Sequence, residues 1–184
     1  MKNVAFAFLL FAIALPASAQ TPAERRAEVD KRSNEVLQRL YKAKPGAKEA
    51  ISKAYGYAVF TNLGINLVFI SAAGGNGVAR PNKGGKPIYM KMASAGIGLG
   101  LGVKDFRGIF VFDNQQVFDK FVNSGWEAGA HADAVAKAGK EGAALEGAVT
   151  VAPGVRLYQL TENGLALEAT IQGTKYFKDD ELNK

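Results

Sequence analysis

The 184-residue chain has no cysteine and one histidine, His131. The missing thiols exclude disulfides, thiolate metal sites and the acylated cysteine of a bacterial lipoprotein. A single histidine without cysteine also excludes Cys/His zinc clusters and Cys–His nucleophile pairs. No apolar run is long enough for a transmembrane helix: Val4 to Leu15 falls well short of the ~20 residues a bilayer requires. Nucleotide loops are missing too. In the glycine-rich tract Gly96-Ile-Gly-Leu-Gly-Leu-Gly-Val103, the last glycine of G-x-G-x-x-G is replaced by Leu101 or Val103, and no Gly-Lys-Ser/Thr follows. Ser94 lacks the first glycine of a G-x-S-x-G nucleophile elbow. Asp105, Asp113, Asp119, Glu127 and Asp133 show no metal-ligand or glycosidase spacing. The expectation is a protein that is not an enzyme and carries neither cofactor nor metal.

What is present begins with an export signal. Met1-Lys2-Asn3, the apolar run and Ala17-Ser18-Ala19 form a charged, a hydrophobic and a cleavage region in order, so residues 1–19 read as a signal peptide. The remaining ~165 residues suffice for one domain with its own core, expected over 20–178 with a flexible tail at 179–184. The expected location is the periplasm or envelope. A formal charge of +6 and a pI near 9.5 favour anionic surfaces such as phospholipid headgroups. Solubilisation alone is the competing explanation of that charge. Nucleic acid is not an expected partner, since no recognition motif is present and the compartment is wrong.

Periodicity supplies the elements. Thr21-Pro22 with Glu24 is a capping box opening a helix to Ala43, with Val29, Ser33, Val36, Leu37, Leu40 and Tyr41 on one arc. Mixed charges and a stripe without Trp or Phe favour packing on the domain over a membrane-surface role. Pro45-Gly46 ends it, and a short helix follows over Ala47 to Ala54. Tyr57 to Phe60, Leu67 to Ile70 and Arg107 to Phe112 are continuous apolar runs, as in strands covered on both faces. Ala73 to Gly77 and Asn82 to Pro87 read as turns, and Ile88 to Met92 as a strand leading into the glycine tract. Asp113 is the expected N-cap of a helix Asn114 to Val122, with Val117, Phe118 and Phe121 towards the sheet. Alanine at every second position from 128 to 138 reads as a small-faced strand matching the glycine tract, although alanine's own propensity is helical. Val155 to Leu160, Ala166 to Gln172 and Thr174 to Phe177 complete the strands, with Glu162-Asn163-Gly164 as a hairpin turn.

The fold class expected is α+β: N-terminal helices and one internal helix packed on a curved, mainly antiparallel sheet or partly closed barrel. An outer-membrane barrel is disfavoured by the charged first helix. Arg80, Lys83, Lys86, Lys91, Lys104 and Arg107 stand beside turns and form either a headgroup patch or ordinary solvated charge. Trp126, following Ser124-Gly125, reads as a core anchor before an interfacial one.

Five segments in order together resemble the SYLF domain, a lipid-binding family found in bacteria and in eukaryotic proteins of membrane and actin remodelling. They are Leu37-Gln-Arg-Leu-Tyr41 with Pro45-Gly-Ala47, Ala54-Tyr-Gly-Tyr-Ala-Val-Phe60, Ala93-Ser-Ala-Gly-Ile-Gly-Leu-Gly100, Asp119-Lys-Phe-Val-Asn-Ser-Gly-Trp-Glu-Ala-Gly129, and Asn163-Gly-Leu165 with Gly173-Thr-Lys-Tyr176. The resemblance implies non-catalytic binding to acidic membrane lipid, of phosphoinositide type in the eukaryotic relatives. It also implies a contribution from the N-terminal helix, here through Arg25, Arg26, Arg32 and Arg39. The functional expectation is an exported protein docking on anionic phospholipid. The alternative is a structural or self-associating envelope protein.

Overall fold

The computed structural model describes residues 20–62, 72–95, 106–127, 147–161, 164–166 and 173–184. The glycine tract 96–103, the alanine tract 128–138 with His131, Lys104, the strand expected at 67–70, and all but Ala166 of the strand expected at 166–172 lie outside the described residues. The described chain runs α1 (Pro22–Ala43), α2 (Gly46–Lys53), β1 (Gly56–Thr61), β2 (Ala72–Pro81), β3 (Ile88–Ala95), β4 (Arg107–Phe112), α3 (Gln115–Ser124), β5 (Trp126–Glu127), β6 (Val149–Ala152), β7 (Val155–Thr161), β8 (Gly164–Ala166) and β9 (Thr174–Lys178).

The strands form one curved antiparallel half-barrel in the order β5-β9-β3-β2-β1-β4-β7-β6, with β8 also on β7. Its centre is β1, paired with β2 from Gly56↔Pro81 to Thr61↔Asn76 and with β4 from Gly56↔Phe112 to Thr61↔Arg107. Every residue of β4 is buried, as its continuous apolar run requires of a strand covered on both faces.

The two faces carry different cores. Alternate residues Ala58, Phe60, Met90, Met92, Phe110, Phe112, Leu157 and Tyr176 meet Phe118, Phe121 and Val122 of α3 on one face. On the other, Val59, Ile109, Val111, Tyr158 and Leu160 meet Val36, Leu37 and Leu40 of α1 and Ala47 and Ile51 of α2. The period of two along each strand produces this division.

Local chemistry explains the helix ends. Thr21 and Glu24 make the full capping box, Thr21 Oγ1 accepting from Glu24 N and Thr21 N donating to Glu24 Oε2. For α3 the cap is Asn114, not Asp113: the Asn114 carboxamide oxygen accepts from Val117 N at 3.0 Å, while Asp113 pairs with Arg156. The cap accepts from the amide three residues on, and that geometry falls to Asn114. Gly125 ends α3 at φ 70°, a left-handed conformation that any added Cβ would strain.

Two further expectations are corrected and one strand is added. Ala73 to Gly77 is not a turn but the interior of β2, paired with β3 from Ala72↔Ala95 onward. Its glycines serve close packing: a Cβ on Gly77 would stand 2.4 Å from the Val59 carbonyl oxygen and from the Phe60 ring. Strand β6, not anticipated, pairs with β7 through an irregular register between Thr150 and Ala152. Finally, the segment Asp179–Lys184 is not a loose tail. Asp179 and Leu182 are buried, and Leu182 packs with Val29, Val78 and Tyr89. Asn183 bridges to the edge of β3, its Nδ2 donating to Tyr89 O at 2.7 Å and its Oδ1 accepting from Tyr89 N at 3.0 Å.

Candidate anion-docking surface

The site residues singled out from sequence separate into three groups. The first is already neutralised within the fold. Arg25 divides its guanidinium between two carboxylates, Nη2 to Asp179 Oδ2 at 3.2 Å and Nη1 to Glu181 Oε2 at 2.6 Å. Lys91 reaches the same Asp179 oxygen at 3.2 Å. Arg32 pairs with Glu28 one helical turn away at 2.6 Å. Arg80 meets Asp30 Oδ1 at 2.7 Å, and the Tyr89 hydroxyl donates to Asp30 Oδ2 at 3.1 Å. Arg26 donates to the Leu182 carbonyl oxygen at 3.0 Å. Apart from the Arg32–Glu28 pair, which stays within α1, these contacts join α1 to β2, β3 and the C-terminal turn.

The second group is buried. Arg107, expected beside a turn, is only 6% exposed because it opens the central strand β4, flanked by β1 and β7. Trp126 is half-buried in an aromatic cluster, its ring centroid 5.6 Å from Phe110, 5.9 Å from Phe121 and 5.8 Å from Tyr176. In the fold its ring packs against the core as an anchor.

The third group is exposed and makes no ion pair among the described residues: Lys83 and Lys86 in the β2–β3 turn, and Arg39 on α1. The exposed Lys42 and Lys48 and the half-buried Lys44 join Arg39 around the α1–α2 corner without a carboxylate partner among the described residues. Asn82 positions the β2–β3 turn: its Nδ2 donates to Ile51 O at 2.6 Å and to Ala54 O at 3.0 Å. That fixes Lys83 and Lys86 beside the last turn of α2, itself about 12 Å long at 1.5 Å per residue. The α1–α2 corner, α2 and the β2–β3 turn therefore make one basic rim. Its one described ion pair is Lys53 with Glu49. The run Lys42-Ala-Lys44-Pro-Gly-Ala-Lys48 displays this concentration in the sequence, with Pro45 marking the corner.

Such a rim can hold phosphate oxygens by charge and hydrogen bonding, with lysine acting as a point charge. Among the described residues no three His, Asp or Glu side chains are placed to hold a metal ion. No described helix is long and apolar enough to cross a membrane.

The fold and rim define a class: an antiparallel half-barrel with helices on both faces and a run of unpaired cations along one rim, while Lys31, Lys120, Lys178 and Lys184 stand exposed elsewhere among the described residues. Among curated proteins, the chain is similar to Beta cell expansion factor A of Aeromonas veronii, at 39% identity over 165 residues. The match covers 90% of this chain and 61% of the relative, so the chain spans about three-fifths of that protein's length. No protein-family model matches the chain.

Proposed function

We propose that this is an exported, non-catalytic lipid-binding protein that docks on anionic phospholipid, in the manner of the SYLF domains its five motifs resemble. The observation that carries the reading is the basic rim. Among the described residues, Lys83, Lys86, Arg39, Lys42, Lys44 and Lys48 are left without carboxylate partners in a fold that neutralises most of its other described arginines. Cations that a protein does not satisfy internally are available to a negatively charged plane, where each contributes about 1 kcal/mol. The rim is formed by helix, corner and hairpin turn, so several cations can meet a flat surface together. Phosphoinositide-type headgroups are the most highly charged members of this ligand class.

The test is co-sedimentation with phosphatidylcholine vesicles, with and without phosphatidylglycerol. Binding is expected only to the anionic vesicles at low salt and is expected to fall steeply as salt rises. Lys83→Glu combined with Lys86→Glu should weaken it by at least about tenfold, since two favourable contacts become repulsive. Failure of the wild-type protein to bind anionic vesicles at low salt would sink the proposal.

A further inference from the structure

Away from the basic rim, the N-terminal end of α1 meets the C-terminal turn at a cleft of about 480 Å³ lined by Gln20, Pro22, Arg25, Arg26, Glu181 and Lys184. Three cationic side chains line this cleft, and Glu181 supplies its one side-chain carboxylate. The turn carrying Glu181 is anchored by other groups. Asp179 Oδ1 accepts from the amides of Glu181 and Leu182 at 3.0 and 3.2 Å, Leu182 is in the core, and Asn183 is bonded to Tyr89. The Glu181 side chain has no part in that anchoring. It is 62% exposed and lies across the Nη1 edge of Arg25, whose Nη2 is held separately by Asp179. The guanidinium fork accepts a carboxylate and a phosphate in the same geometry. A rigid turn therefore places an acidic group where a lipid phosphate would bind.

We infer that Glu181 is an internal competitor for the anionic surface, occupying the edge of Arg25 that a phospholipid phosphate would otherwise take. The inference rests on the lipid-docking reading and adds a restraint to it. The protein meets a membrane first through the unpaired rim, and Arg25 joins only when Glu181 swings aside. Asp179 stays in place throughout, because it also holds Lys91 and the turn's amides. The hydrogen bond and charge of Arg25 hold the Glu181 carboxyl below its ordinary value, so the competitor keeps its charge at neutral pH.

The experiment uses the full chain and vesicles containing phosphatidylglycerol, comparing wild type, Glu181→Gln and Asp180→Asn. Asp180 is an exposed carboxylate in the same turn with no ion pair among the described residues, so both variants change net charge equally but only one releases a cation. Glu181→Gln should bind about fivefold more tightly than wild type, the worth of one released basic residue at an anionic surface. Asp180→Asn should gain clearly less, and adding Arg25→Gln to Glu181→Gln should cancel the gain. Thermal melts establish that each variant is folded. Equal gains in Glu181→Gln and Asp180→Asn would overturn the competition while leaving lipid docking standing. Absence of binding by wild type and every variant would overturn the docking reading and this inference with it.

Discussion

Asp179 has no solvent exposure, yet it meets Arg25, Lys91 and two backbone amides. Removing a carboxylate in that position leaves Lys91 without its described partner, Arg25 with Glu181 alone, and a turn without its cap. Asp179→Ala should lower the unfolding free energy by about 2–4 kcal/mol, tempered by the partial exposure of both cations. Urea titration measures the loss. Tyr176 presents the opposite case, because its buried hydroxyl makes no hydrogen bond of full geometry among the described residues, the Thr174 hydroxyl being the one polar group acting on it. Tyr176→Phe should therefore leave the melting temperature unchanged or raise it slightly, since a poorly satisfied buried hydroxyl costs about 1 kcal/mol or more. Burial also pushes the Tyr176 phenol far above its ordinary value. An unfolded tyrosine gives up its proton near pH 10 while the folded one keeps it. The associated stability is complete below that pH and declines as pH rises beyond it. In Tyr176→Phe this alkaline decline should become shallower, as read by melting temperature from pH 9 to 11.

At the scale of elements, β2 shows how far sequence reading extends. Tyr57 to Phe60, Arg107 to Phe112, the α1 capping box and the α3 stripe are legible because local spacing and burial agree. The glycines of β2 mislead, since glycine commonly marks a turn and only the register against β1 shows that it is also the residue that fits. Gly77→Ala should destabilise strongly, by more than the ~1 kcal/mol of an ordinary strand substitution, because its Cβ would meet the Val59 carbonyl as well as a movable ring. Circular dichroism melting reads this directly. The fate of the basic residues was less legible. Arg25 lies 154 positions from Asp179, and no local pattern announces that pairing. The rim was only partly visible: Lys83 and Lys86 advertise an exposed turn, while its neighbour α2 is identified by Asn82 alone, through bonds spanning 28 and 31 residues. Strand β6 escaped because four residues with an irregular register carry too little periodicity to detect.

Over the whole molecule the sheet separates two regions. Helices α1 and α2, with the basic rim, occupy one face, and the aromatic core under α3 occupies the other. Trp126 belongs to the second region and is the chain's one tryptophan. Its fluorescence is thus an optical signal from a single place, screened by the sheet from the proposed docking face. Urea unfolding should shift the emission to longer wavelength, whereas adding anionic vesicles should leave wavelength and acrylamide quenching near their folded values while the protein sediments with lipid. A vesicle-induced shift as large as that of urea would mean that docking reaches through the sheet. With no second indole to dilute the signal, a spectrometer can distinguish a protein resting on a membrane from one dismantled by it.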